Sequence, residues 1–187
     1  MATVQDYLNN AKWVKRVSQM FDNTDIDKNG YISTADFLKF VDNLAKETDR
    51  PEMIAKLREV MLEWAAAIGI KEGVKADKQE YLKLMASMAI VENAKVKRGE
   101  KPLIYKLDNA WFDAVDVNHD GHVTLNEYIL VMKAFNLDAA SAEAGFDSLD
   151  KNKNGKIERN EFIETEFKFW FTLDDPDAQG ILGDKFE

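Results

Sequence analysis

Apolar positions recur along this chain at helical spacing, and polar, glycine-bearing stretches interrupt them at intervals. Trp13, Val14, Val17, Met20 and Phe21 predict a helix over about 6–24. Phe37, Leu38, Phe40, Val41 and Leu44 predict the next. Thr48-Asp49-Arg50-Pro51 breaks the pattern, and Pro51 suits the first turn of a third helix, whose apolar face is Met53, Leu57, Val60, Met61, Trp64 and Ile68. Asp77 caps a fourth over about 77–94 that carries Tyr81, Leu82, Leu84, Met85, Met88 and Ile90. Leu103, Ile104, Leu107, Trp111, Phe112 and Val115 mark a fifth over about 103–115. Tyr128, Ile129, Val131, Met132 and Phe135 mark a sixth. Asp138 caps a seventh over about 139–149, with Phe146 and Leu149 inward. Phe162, Ile163, Phe167, Trp170 and Phe171 mark the last.

The polar interruptions carry the chemistry. Asp116-Val117-Asn118-His119-Asp120-Gly121-His122-Val123-Thr124-Leu125-Asn126-Glu127 places side-chain oxygens at positions 1, 3 and 5, Gly at 6, a β-branched residue at 8 and Glu at 12. A hard dication needs six to eight oxygen ligands. Asp116, Asn118 and Asp120 offer short side-chain oxygens. Gly121 permits a turn that a Cβ would hinder. His122 offers its backbone carbonyl, and Glu127 reaches back with both oxygens. This is the EF-hand calcium loop. It recurs at 150–161, where Asp150, Asn152, Asn154, Lys156 (through its carbonyl) and Glu161 take the ligand positions. It recurs again at 25–36 with Asp25, Asp27, Asn29, Tyr31 (through its carbonyl) and Asp36. Three such loops in register, each between helical patterns, predict three calcium sites. Asp36 is one methylene shorter than Glu, so bidentate closure is harder and magnesium is better tolerated in the first site.

A second loop belongs between Gly69 and Gln79, but its oxygen ligands are missing. With Val74 at the central β position, Ala67, Gly69 and Lys71 take positions 1, 3 and 5, and Lys78 takes position 12. A lysine there opposes a dication. The expected architecture is all-α: four EF-hands in two pairs forming one globule, the second hand degenerate. Residues 1–94 form the first pair, 95–102 a basic linker broken by Gly99 and Pro102, 103–171 the second pair, and 172–187 a tail whose Ile181, Leu182 and Phe186 pack back on the core. Ile32 pairs with Val74, and Val123 with Ile157.

Bulk properties narrow the partners. With 34 acidic against 25 basic residues the net charge is −9, which disfavours nucleic acid. Three calcium ions bring it to about −3. The absence of Cys removes disulfide and thiolate chemistry. No apolar run is long enough to span a membrane. Ala2 stands where myristoylation requires Gly. These features predict a monomeric cytoplasmic protein. No nucleophile–base pairing stands out, so an enzyme is not expected.

Four hands with a degenerate second, Asp at position 12 of the first loop and an aromatic-rich tail resemble the invertebrate sarcoplasmic calcium-binding proteins. The resemblance extends to calexcitin, the coelenterazine-binding protein and the calcium-regulated photoproteins. Phe169-Trp170-Phe171-Thr172-Leu173-Asp174-Asp175-Pro176 is similar to the photoprotein tail, as is Trp13 followed by Phe21. The photoproteins hold peroxidised coelenterazine with His, Tyr and Trp side chains. At the matching positions this chain has Val17, Glu166, Phe171 and Leu182, and its only histidines are His119 and His122 in loop three. The resemblance therefore implies calcium binding without luminescence chemistry. The main expectation is a cytosolic Ca²⁺/Mg²⁺ buffer with affinities of about 10⁻⁹–10⁻⁷ M. The alternatives are a calcium-responsive sensor that binds a target peptide through Met20, Met53, Met61, Met85, Met88 and Met132, or a carrier of a small hydrophobe such as coelenterazine. The Met residues and Trp13, Trp64, Trp111 and Trp170 are expected to be mostly core.

Overall fold

The structure, a computed structural model, describes residues 2–174. The first predicted helix is two: α1 (Val4–Asn9) and α2 (Ala11–Thr24), hinged at Asn10. Asn10 donates its amide to the Tyr7 carbonyl and accepts from the Trp13 amide through its side chain, ending one helix and capping the other. The remaining helices are α3 (Thr34–Glu47), α4 (Pro51–Ala67), α5 (Lys78–Lys97), α6 (Leu103–Val115), α7 (Leu125–Ala134), α8 (Ala142–Leu149) and α9 (Arg159–Phe171). A 3-10 turn, Ala139–Ser141, precedes α8, so the helix predicted from 139 begins three residues later. The basic stretch expected as a linker from residue 95 is partly helical, because α5 runs to Lys97 before Gly99 turns at positive φ. Of the expected tail, Thr172–Asp174 is described, and Ile181, Leu182 and Phe186 lie outside the described residues.

Each loop ends in a two-residue strand. β1 (Ile32–Ser33) pairs antiparallel with β2 (Lys75–Ala76), and β3 (His122–Val123) with β4 (Ile157–Glu158). Val123 faces Ile157 as expected. Ile32, however, faces Ala76 and not Val74, which is exposed. The reason lies at the end of α4. The Ile70 amide bonds back to the Ala65 carbonyl at 2.8 Å and Gly69 takes φ +97°, a glycine-terminated helix end that uses residues the other loops spend on ligands. The corrected register puts Gly69, Lys71 and Gly73 at positions 1, 3 and 5 and Glu80, not Lys78, at position 12. The second hand keeps its closing carboxylate and lacks the other side-chain oxygens.

The core is one continuous body of apolar side chains. Trp13, Trp64, Trp170, Met20, Met61, Met85, Met88 and Met132 are buried in it, while Trp111 and Met53 are half-buried against it. α3 packs on α7 and α4 on α6. Phe40 and Phe135 meet across the first contact at 4.3 Å between ring centres. Lys56–Asp113 at 3.1 Å spans the second.

The end of α9 is held by the start of the chain. A helix leaves its last four carbonyls without intrahelical partners. Here Trp13 Nε1 donates to the Trp170 carbonyl at 2.9 Å, Arg16 Nε to that of Phe169 at 2.6 Å, and Tyr7 Oη to that of Phe171 at 2.7 Å. Asn93 Nδ2 of α5 also donates to the Phe171 carbonyl, at 2.8 Å. The Lys168 carbonyl accepts from Thr172.

Candidate functional site

Loops one, three and four share one backbone. Position 4 is left-handed in each, at Lys28, His119 and Lys153 with φ 57–60°, and position 6 is Gly30, Gly121 or Gly155 at φ 81–84°. A Cβ on any of these glycines would meet nothing within 4 Å, so glycine is required by the backbone angle rather than by space. The position-1 carboxylates gather the loops. Asp25 accepts from the Asn29 and Gly30 amides, Asp116 from Asp120 and Gly121, and Asp150 from Asn154 and Gly155, all at 2.9–3.2 Å. Asn29, Asp120 and Asn154 at position 5 accept from the amides of Tyr31, His122 and Lys156. Asp27, Asn118 and Asn152 at position 3 accept from the position-5 amides.

Position 12 differs between loops. Glu127 spans its loop: Oε1 accepts from the Val117 amide at 3.1 Å and Oε2 from the Thr124 amide at 2.9 Å. Glu161 does the same between Asn152 and Glu158. Asp36 accepts from Ser33 alone, through Oδ2, among the described residues. Among the described residues no amide at the start of its loop donates to it.

Carboxylate oxygens of Asp25, Asp27 and Asp36 lie within 4.8 Å of one another, the one group of three or more His, Cys, Asp or Glu side chains so close among the described residues. Ligands around one dication with metal–oxygen bonds of about 2.4 Å fall within that separation. The donor set is all oxygen and mostly anionic, which fits calcium or magnesium and not a soft metal. His119 is exposed; its Nδ1 lies 3.2 Å from Arg50 Nη2, and the Arg50 guanidinium also donates to the Asp116 carbonyl.

A cavity lies among the helices that carry the loops. Its volume is about 100 Å³. Its lining includes Phe37, Tyr81, Tyr128 and Phe162. Each of these follows the position-12 residue of its hand: Asp36, Glu80, Glu127 and Glu161. Trp64, Trp111 and Trp170 add aromatic faces, and Trp111 stacks on Phe162 at 4.3 Å. Burial pushes the Tyr81 hydroxyl well above its ordinary value.

Two acids face this apolar space. Glu166 of α9 accepts from Trp170 Nε1 at 2.8 Å, and Asp108 of α6 has an Oδ2 with no hydrogen-bond partner among the described residues. Burial raises both carboxyls. Glu166 is pushed up to about 8 against the opposing pull of the Trp170 bond, and Asp108 goes well above the carboxylate range, with the nearby Glu166 charge adding to burial. Asp108 escapes the loop-centred reading of the sequence. Its signal is there nonetheless: it interrupts the apolar stripe Ile104, Leu107, Trp111 at a position that faces inward, as Glu166 does between Phe162 and Trp170.

With loops, paired strands and cavity in place, the class follows. The model of the EF-hand domain pair matches residues 15–133 and 104–165, and the chain belongs to the EF-hand family of calcium-binding proteins. Obelin from Obelia geniculata is 28% identical over 184 residues, covering 96% of this chain and 94% of its own. A sarcoplasmic calcium-binding protein from Hediste diversicolor is 28% identical over 139 residues, covering 71% of this chain and 74% of its own. The crystal structure of apoaequorin in complex with (S)-HM-daCTZ superposes with a TM-score of 0.81 at 27% identity, covering 94% of this chain and 92% of that one. Kinship with both the photoproteins and the sarcoplasmic proteins is thus established. The likeness to the photoproteins takes in nearly the whole chain, so the resemblance to the sarcoplasmic family in particular widens to the larger group.

Proposed function

We propose that this protein is a calcium-responsive carrier of a small hydrophobic ligand of the coelenterazine type. The observation that carries this reading is the placement of Phe37, Tyr81, Tyr128 and Phe162: in every hand the residue after the closing position lines one cavity. Calcium would be held in loop one by Asp25, Asp27, Asn29, the Tyr31 carbonyl and Asp36. In loop three the ligands would be Asp116, Asn118, Asp120, the His122 carbonyl and Glu127. In loop four they would be Asp150, Asn152, Asn154, the Lys156 carbonyl and Glu161. A dication supplies positive charge that draws the position-12 carboxylate inward. The following ring stands on the same first turn of the exiting helix, so any shift of that carboxylate is felt in the cavity wall. The likeness to apoaequorin, which is solved with a bound small molecule, supports the same reading.

Light emission is not part of this reading. Val17 and Phe171 are buried and apolar where the resemblance would require titratable rings, and Glu166 replaces a third. The protein binds and releases without a catalytic centre. A sensor that presents methionine to a peptide is less well supported, because five of its six methionines form core. A pure buffer, the main expectation from sequence, leaves the cavity without a role. Among the described residues no helix is long and apolar enough to cross a membrane, in keeping with the cytoplasmic location that belongs to this proposal.

The test is a titration of coelenterazine into calcium-free and calcium-saturated protein, read by tryptophan quenching. Binding at low calcium that weakens about tenfold or more on calcium addition supports the carrier. Absence of coelenterazine binding in both states, with calcium still taken up, returns the protein to the buffer reading.

A further inference from the structure

Asp108 and Glu166 present two acids to one apolar chamber. Among the described residues the chamber lining includes no Lys, Arg or His, so they provide no counter-charge there. Asp108 is 3% exposed and Glu166 6%. Among the described residues Glu166 has one hydrogen-bond partner, Trp170, and the Asp108 Oδ2 has none. Buried polar atoms are nearly always paired, and an orphan calls for a missing partner. Two neighbouring carboxylates in a low-dielectric space cannot both ionise unless a cation joins them. An inorganic dication would want six or more oxygens, and this lining is overwhelmingly apolar. What satisfies both the acids and the walls is a cation with an apolar body. The faces of Trp64, Trp111 and Trp170 attract an ammonium group and stack on an attached ring.

We propose that the cavity takes a hydrophobic amine, an arylalkylamine or an amine-bearing heteroaromatic, whose nitrogen is held between Asp108 and Glu166 and whose ring lies among the cavity tryptophans. This rests on the cavity being a ligand site and names the chemistry that the ligand must carry. The amine donates to Asp108 Oδ2 and to the Glu166 oxygen that Trp170 leaves free. Trp170 fixes the Glu166 carboxyl from the other side.

The test is isothermal titration of the full chain in EGTA at pH 7.5 with two probes of one shape, 2-phenylethylamine and 2-phenylethanol. Coelenterazine is run alongside. The proposal expects the amine to bind about tenfold or more tightly than the alcohol, as charge-assisted hydrogen bonds exceed neutral ones. Asp108→Asn and Glu166→Gln should each bring that preference below about threefold and leave the alcohol within about twofold. Glu166→Gln keeps an acceptor for Trp170, and the two-probe comparison on the unaltered protein needs no variant. Equal affinity for the two probes, or a preference that survives both substitutions, overturns the amine and leaves the hydrophobic cavity standing. Coelenterazine binding without amine binding has the same meaning. Failure of all three ligands to bind overturns the amine and the carrier together.

Discussion

Asp36 shows what one methylene decides. Glu127 and Glu161 each bridge from the exiting helix to the far side of their loops, and Asp36 stops at Ser33. A carboxylate that cannot close around an ion with both oxygens favours six-coordinate magnesium over the larger calcium shell. Asp36→Glu is expected to raise the calcium-over-magnesium preference of loop one by about tenfold. Competitive titration of the two ions checks this; an unchanged ratio refutes it. Glu166 gives a second expectation at the same scale. Its folded-state value near 8 stands above the ordinary carboxyl value of 4.5, because burial opposes the charge. The native state then holds a proton that the unfolded chain releases, so this group stabilises the fold below pH 4.5 and that contribution is lost as pH rises towards 8. The slope cannot exceed about 1.4 kcal/mol per pH unit for one proton. Glu166→Gln should flatten the fall in stability between pH 5 and pH 8, measured by urea unfolding in EGTA. An identical slope in the variant would show that Glu166 is not buried as a neutral acid.

Among the elements, the cap on α9 is the most exposed to test. Trp13, Arg16, Tyr7 and Asn93 satisfy carbonyls that the helix itself cannot. Trp13→Phe removes the one donor to the Trp170 carbonyl among the described residues, at a cost of about 2 kcal/mol or more. Tyr7→Phe costs less, within about 1 kcal/mol, because Asn93 still reaches the Phe171 carbonyl. Chemical unfolding of the two variants should rank them in that order. The loops were readable in the sequence because twelve contiguous residues hold all their chemistry. Loop two was not readable in register, since without ligands nothing local fixed position 1, and the glycine-terminated end of α4 at Gly69 and Ile70 left no sign of it in the sequence. The Asn10 hinge was hidden by an apolar rhythm that runs on through both α1 and α2. Asp108 was missed, and Glu166 entered only through a resemblance, for a different reason. What makes Asp108 and Glu166 matter is that α6 and α9 bring them into one chamber, and no single stretch of sequence contains that.

For the molecule as a whole, charge and cavity are linked. Net charge −9 is concentrated partly in three loops, and their repulsion works against the folded state until cations arrive. Calcium that binds only the native chain raises its stability by mass action. Calorimetry is expected to give three calcium ions per chain, and scanning calorimetry a melting temperature that climbs with free calcium. Two ions, or four, would mean that the division into three complete hands and one degenerate hand is wrong. Helices from the first two hands and the last two enclose the same space, through Phe37 and Tyr81 on one side and Tyr128 and Phe162 on the other. An occupant of that space would touch the residue after the closing position of all four hands.

The grip of Tyr7, Trp13 and Arg16 on residues 169–171 joins parts of the chain more than 150 positions apart. A ribosome must finish α9 and release it from the exit tunnel before that grip can form. Until then Tyr7, Trp13 and Arg16 lack the carbonyls they hold in the folded chain, and a stalled or prematurely ended product would offer these unpaired donors and their rings to chaperones and proteases.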